Sequence, residues 1–239
     1  MTTPSGAISF SDVQTEFGGS NPISLSEYYR GGSNVPSVGA GTSGIPTSST
    51  ISADNLRGRS KTATVTYDVL GAGGGGGAGY HSRGASPSGG NGTAPSGGDA
   101  SLSGSGFTTI TSTGGSGGHN GAFSWDAPTA GQSSAHGTGG AAGATDNPGG
   151  DGSGSGAGGG GGGGRNSVGA AGQGGYAGTR NTGSFTLVYG TTLTMTIGSG
   201  GTGTTNSPRN GGDGSGGRVS LSWDSESPVY TSSTTRVVN

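Results

Sequence analysis

Strict alternation of apolar and polar residues marks residues 61–70 as a β-strand, because successive side chains of a strand point to opposite faces. Its apolar members are Ala63, Val65, Tyr67 and Val69. Later segments with strand character predict a hairpin from residues 183–189 and 191–197 around Tyr189-Gly190, a closing strand at 218–223 and a weaker one at 106–112. The pattern predicts an all-β domain over residues 61–224.

The first sixty residues carry a different pattern, a short phrase whose three copies begin at Ile8, Pro22 and Ile51. Each copy predicts a short helix. Ser11 with Gln14 and Ser24 with Glu27 fit capping boxes, and glycine after the last turn fits a helix stop. The fold expected for residues 1–60 is therefore a small region of short helices.

Helices this short are marginal in water alone, so their apolar side chains need a covering surface. We predict that residues 1–60 are an attachment module that packs on another protein or on symmetry mates. The alternative is a small cap that packs on itself against the next domain. Besides Leu56, the residues predicted to make the attachment are Phe10, Val13, Phe17, Leu25, Tyr28, Tyr29 and Arg30.

Glycine recurs at every third position through much of the remaining chain. A helix of the polyproline II type has three residues per turn, so this spacing leaves one face without side chains and lets neighbouring backbones touch. Because glycine loses the most entropy on ordering, almost every backbone group must then be bonded. We predict a polyglycine II helix bundle or sandwich enclosed by strands. Its scaffold glycines are Gly73, Gly76, Gly79, Gly169, Gly172, Gly175 and Gly178, and the register returns at Gly211, Gly214 and Gly217.

Composition narrows the class of protein. Glycine is 62 of 239 residues but proline only 10, which excludes a collagen. Leu, Ile, Val and Phe total 29 residues, too few for a large apolar core, and a flexible glycine-serine linker is the alternative for the central region. The chain has no cysteine and therefore no disulfide bond. Its net charge is −2 and its single lysine is Lys61, so it lacks the basic surface that nucleic-acid binding requires.

The ends of the chain are less informative. The start has no charged segment before an apolar run, and no apolar run approaches the length of a membrane span, so we expect neither a signal peptide nor a transmembrane helix. Residues 225–239 form a C-terminal tail that either adds a strand to a neighbour or is disordered.

Three features of the sequence carry a resemblance. Residues 6–19 and 21–32 are similar to a phrase frequent at the start of tailed-phage structural proteins. The glycine runs with aromatic-bearing breaks resemble the glycine-rich adhesins at the tail-fibre tips of T-even-like bacteriophages. Residues 185–201 resemble glycine-rich domains of phage fibres and of some animal cell-surface receptors. Since the chain starts with the repeated phrase instead of the adhesins' fibre-docking region, the resemblance does not identify its docking partner.

The resemblance implies a virion tail-fibre or tail-tip protein, made in the host cytoplasm, that recognises a bacterial outer-membrane protein or glycan. Other phage tail proteins are its expected partners, and it is expected to be a homo-oligomer or to bind an oligomeric fibre. The alternative is a purely structural fibre, tip or collar component without receptor contact. A polyglycine II antifreeze protein is a third hypothesis. It is disfavoured because the glycine register is interrupted irregularly and the chain has no cysteine.

Receptor contacts are expected in the breaks of the glycine register, at residues 80–96, 119–136, 165–168 and 204–210. Aromatic and arginine side chains dominate recognition because they combine a large rigid area with a polar group. For Phe123 and Trp125, plugging the end of the sandwich is the alternative role. The receptor-binding candidates in and beside these breaks are Tyr80, His81, Arg83, His119, Phe123, Trp125, His136, Arg165 and Tyr176.

Catalytic patterns are weak. No lysine follows a phosphate-binding glycine loop, and Gly-x-Gly-x-x-Gly strings arise by chance in so glycine-rich a chain. Asp151 and Asp213 stand in the wrong place for a glycine-aspartate calcium repeat, and the histidines are scattered. The carboxylates show no pair suited to glycan hydrolysis. We predict no enzyme, no cofactor and no metal site.

Overall fold

The structure, a computed structural model, describes residues 2–79, 92–121, 128–159, 161–162, 171–206, 208–224 and 226–239. Its helices are α1 (Phe10–Phe17), α2 (Ala53–Leu56) and two 3₁₀ helices, Leu25–Tyr28 and Ala40–Thr42. Its strands are β1 (Thr62–Leu70), β2 (Ala100–Gly104), β3 (Ile110–Ser112), β4 (His136–Thr138), β5 (Ser153–Ser155), β6 (Arg180–Val188), β7 (Thr192–Thr196), β8 (Arg218–Ser222), β9 (Val229–Tyr230) and β10 (Thr234–Val237). The fold is mostly β with few helices, as the sequence predicts.

Two four-stranded antiparallel sheets form a sandwich. One has the strand order β6-β1-β8-β9 and the other β10-β7-β2-β3, while β4 and β5 form a separate ribbon. The alternation in β1 is confirmed, since Val65 and Val69 are fully buried between the sheets. Leu102, Met195 and Trp223 are buried in the same core.

The predicted hairpin around Tyr189-Gly190 is wrong. β6 pairs with β1 in one sheet, whereas β7 pairs with β2 and β10 in the other. Gly190 has a φ of +90°, in the left-handed region that favours glycine, and the chain crosses here from one sheet to the other. Both strands have the alternating pattern expected of a hairpin, but they belong to different sheets on opposite sides of the core.

Two parts of the sandwich were not predicted from the sequence. Leu102 is the only large apolar residue of β2, and its other residues are alanine, serine and glycine, so its pattern is too weak to mark a strand. The C-terminal tail neither extends to a neighbour nor lies free, because β9 pairs with β8 and β10 pairs with β7 of the same chain. Val238 is fully buried in the sandwich core.

The N-terminal region packs on itself, which corrects the expectation that its apolar residues need another protein. Val13, Phe17, Tyr28 and Leu56 are buried together in a separate core. Of the predicted attachment residues, Leu25 packs partly buried against this core, Tyr29 and Arg30 are half-buried, and Phe10 is exposed.

The caps of these helices also differ from the prediction. Ser9, not Ser11, begins α1 and forms a capping box with Asp12. Ser24 accepts a hydrogen bond from the backbone of Ser26, so the predicted box with Glu27 does not form. The third copy of the phrase carries a box that the sequence analysis missed, between Ser52 and Asn55.

The N-terminal region is fixed to one end of the sandwich. The buried carboxylate of Glu16 accepts hydrogen bonds from the Lys61 backbone (2.8 Å) and the Ser60 hydroxyl (3.0 Å). The Tyr189 hydroxyl donates to Asp224 (2.8 Å) and accepts from the Gly41 backbone (3.2 Å). These bonds join residues on both sides of the boundary at residue 60.

The other end of the sandwich continues into a set of glycine-rich segments, here called the glycine bundle. A central segment, 71–79, follows β1 directly, and six neighbours surround it. The neighbours, in order around the centre, are 92–98, 113–121, 171–179, 156–162 without residue 160, 209–217 and 198–204. Each neighbour also directly precedes or follows a strand. Five of these strands belong to the sandwich, and β5, which precedes segment 156–162, belongs to the ribbon.

Hydrogen bonds from the central segment repeat every three residues. Gly71, Gly74 and Gly77 donate to the carbonyls of Thr179, Tyr176 and Gln173 at 2.8–3.0 Å. Ala72 and Gly75 donate in the same way to segment 92–98, and Gly73, Gly76 and Gly79 donate to segment 209–217. These three acceptor segments run antiparallel to the centre, because acceptor numbers fall as donor numbers rise.

The other three neighbours donate to the central segment and run parallel to it. Gly115 and Gly118 bond the carbonyls of Ala72 and Gly75, and segments 156–162 and 198–204 repeat this pattern. Each neighbour also bonds the next one around the centre, which closes a ring of alternating direction. Residues 92–96, 119–121, 204 and 209–210 therefore belong to the bundle and not, as predicted, to loops.

Candidate functional site

The end of the glycine bundle away from the sandwich is the candidate site, and we call it the outer end. Its described residues lie in one layer: Asn206 Nδ2 donates to the Gly79 carbonyl (2.6 Å), and Gly121 N donates to the Ala78 carbonyl (3.0 Å). Asn120 N donates to the Gly92 carbonyl (2.9 Å). Gly79, Gly92, Gly121 and Asn206, which these bonds place, are next in sequence to three stretches outside the described residues, 80–91, 122–127 and 207.

Polar side chains tie the segments together at the outer end. The Thr204 hydroxyl donates to Asn120 Oδ1 (2.6 Å), and the same oxygen accepts from the Ala78 backbone (3.0 Å). Arg209 is almost fully buried, and its Nε donates to Asp146 Oδ1 at 2.8 Å. These bonds fix the positions at which the chain leaves the bundle.

Most of the predicted receptor residues lie outside the described residues: Tyr80, His81, Arg83, Phe123, Trp125 and Arg165, together with the scaffold position Gly169. The other three candidates do not come together. His119 is exposed near the outer end, two residues before Gly121. Tyr176, 46% exposed, lies along the side of the bundle, and its N–H donates to the Ser116 carbonyl, so it belongs to a glycine segment rather than a loop.

His136 lies far from the outer end, in the β4–β5 ribbon beside the sandwich. Its Nε2 is 2.6 Å from Asp68 Oδ2, and Arg180 donates from Nε and Nη2 to the two Asp68 oxygens at 2.9 Å. This contact makes His136 part of a charged cluster on the sandwich and gives no support for its predicted role in a receptor loop.

The charged cluster was missed in the sequence because its members are far apart in the chain. Asp68 and Arg180 are 112 positions apart and meet only because β1 pairs with β6. Partial burial by itself would raise the pKa of Asp68, but hydrogen bonds from Arg180 and His136 outweigh that effect and hold the pKa below its ordinary value of 3.8.

The lowered pKa of Asp68 predicts an acid-sensitive contribution to stability. The folded state binds fewer protons at this carboxyl than the unfolded chain, so the contribution is complete above pH 3.8 and is lost as the pH falls through the folded-state pKa. In urea unfolding between pH 2 and 6, Asp68→Asn should show a shallower loss of stability below pH 4 than the wild type. Asp54→Asn, which removes an exposed carboxylate paired with Arg57, is the control and should keep the wild-type slope.

No protein-family model, curated protein or solved structure matches the chain. Within the described ranges, no helix has the length and apolar character needed to cross a bilayer. In the same ranges, no group of three or more histidine, aspartate or glutamate side chains is placed to hold a metal ion. The geometry of the glycine bundle therefore carries the functional argument.

Proposed function

We propose that this chain is a phage tail-fibre or tail-tip protein that binds a host cell-surface receptor through loops displayed on a polyglycine II scaffold. The observation that carries the proposal is the common outer end of the glycine bundle, because the stretches next in sequence to its described residues hold Tyr80, His81, Phe123 and Trp125. Adhesion requires binding surface and no bond-breaking chemistry, so the protein is proposed to be no enzyme.

The hydrogen-bond pattern supports polyglycine II helices. A three-residue period is the repeat of a polyproline II-type helix, and the first two turns of the central segment reach the same three acceptor neighbours. A surface turn or a flexible linker would not place six backbones around one. A bundle bonded in this way is a rigid support, because its position-defining bonds lie within the backbone.

The two ends of the molecule support different roles. The N-terminal region contacts the sandwich beside Lys61 and Tyr189, at the end opposite to the glycine bundle. We therefore assign the N-terminal region to the virion side and the outer end to the cell side. Phe10 on α1 is 49% exposed, and it is the predicted attachment residue with the most free apolar surface.

The proposal is tested with the purified full chain and cells that the parent phage infects. Saturable binding and competition with phage adsorption are expected. Replacing Tyr80, His81 and Trp125 together by alanine should weaken binding about thirtyfold or more, since central aromatic contacts commonly contribute 2 kcal/mol or more.

Tyr176→Ala is the matched control, because Tyr176 is an exposed aromatic on the side of the same bundle. This variant should bind as the wild type does. A folded wild-type protein that does not bind the cells would contradict the adhesin and favour a structural tail component. Loss of binding in Tyr176→Ala alone would move the receptor contact from the outer end to the side.

A further inference from the structure

A groove of about 660 Å³ lies over the outer face of the β6-β1-β8-β9 sheet. Val69 and Leu221 face the core, so strand alternation places Asp68 and Ser220 on the opposite, solvent side. The groove is on the sandwich and separate from the outer end of the glycine bundle. Ligand binding in the groove would therefore be independent of the proposed receptor loops.

The groove carries one positive charge without a partner. The Asp68 carboxylate is bonded twice by Arg180, so these two charges compensate each other. Arg218 enters the groove from the next strand, and it forms no ion pair with any described residue. The local charge of the three groups is therefore +1 at neutral pH.

Two polar atoms in the groove have no hydrogen-bond partner. Arg218 Nε and Ser220 Oγ are both buried from solvent and unbonded among the described residues. They stand two positions apart on β8, about 7 Å along one face of the strand. Buried polar groups in folded proteins are almost always bonded, so this pair points to a group that is bound from outside.

We propose that the groove binds a carboxylate-bearing sugar, whose acid group accepts hydrogen bonds from Arg218 and Ser220. The planar guanidinium matches the geometry of a carboxylate, and one uncompensated cation matches one negative charge better than a phosphate dianion.

The rest of the lining favours a sugar over an acidic peptide. Thr66, Thr182 and Ser184 line the groove beside the charged groups, and hydroxyls donate and accept as sugar hydroxyls do. An extended peptide would be read instead by the free edge of a strand and by side-chain pockets. The occupant is therefore an acidic saccharide.

The test titrates the purified full chain with D-glucuronate, with D-glucose as the neutral counterpart, by isothermal calorimetry or ligand-observed NMR. Glucuronate should bind saturably and glucose should not. Arg218→Gln should weaken glucuronate binding about tenfold or more, because a bond to a charged group is lost. Ser220→Ala should weaken it severalfold. Arg57→Gln, on the surface of α2's C-terminal end, is the control and should bind as the wild type does.

Three results would overturn the proposal: glucose binding as well as glucuronate, acetate competing as well as glucuronate, or full binding by folded Arg218→Gln. Acetate tests whether the sugar contributes beyond its acid group. If Arg218→Gln does not fold, Ser220→Ala decides, since it removes only one hydroxyl from a strand surface. Unchanged affinity in that variant contradicts the assigned contact.

Discussion

Gly175→Ala should lower the free energy of unfolding by about 3 kcal/mol, with a fall in melting temperature of roughly 6–12 °C. A Cβ added at Gly175 would overlap the carbonyl oxygen of Gly74 in the central segment. The N–H of Gly175 already donates to the Gly159 carbonyl at 2.8 Å, so the backbone cannot withdraw without breaking that bond. Calorimetry and urea unfolding measure the loss.

Gly216→Ala is the matched control within the same bundle. The nearest atom to an added Cβ at Gly216 is the Gly198 carbonyl oxygen at 3.7 Å, an ordinary contact distance. This variant should unfold within about 0.5 kcal/mol of the wild type, as exposed substitutions usually do. Equal stability of the two alanine variants would contradict close packing of the glycine segments and would favour the linker interpretation.

Trp223→Ala should destabilise the sandwich by about 3–5 kcal/mol, because it removes the largest fully enclosed side chain of a small core. The indole is 2% exposed, and its Nε1 donates to the Asn239 carbonyl at 3.2 Å. Arg236 also lies over the ring, with its Cζ 5.9 Å from the centroid. The variant therefore leaves a cavity and removes the hydrogen bond to Asn239.

Trp223→Phe and Val229→Ala calibrate this result. Phenylalanine keeps most of the buried area but lacks the indole N–H, so Trp223→Phe should lower the free energy of unfolding clearly less than Trp223→Ala does. Val229 is 54% exposed at the neighbouring strand, and its truncation should cost less than about 1 kcal/mol. A loss in Trp223→Ala no greater than in Val229→Ala would show that Trp223 is not part of a packed core.

The sequence predicts what depends on near neighbours. The alternation in β1 is local, and it correctly gives a strand with Val65 and Val69 on the core side. The glycine period likewise identifies segments 71–79 and 171–179, because the spacing of glycine reflects contacts that repeat along one segment. Both signals require no knowledge of what the segment packs against.

Features that depend on partners distant in the chain were missed or misread. The pattern on either side of Gly190 is the same whether two strands pair with each other or belong to opposite sheets. The cluster of Asp68 and Arg180 exists only through strand pairing, and β2 is held by its neighbours despite its weak apolar pattern. The self-packed N-terminal core was not predicted, because the sequence of a short helix does not indicate whether its apolar side packs on the same chain or on another protein.

The three-residue repeat restricts how the glycine bundle can change length. The backbone N–H groups of residues 71–77 and of Gly79 each bond one particular neighbour, so deleting a single residue would turn every later donor by a third of a turn toward the wrong one. Only insertions or deletions of three residues, matched in the surrounding segments, preserve the bonding.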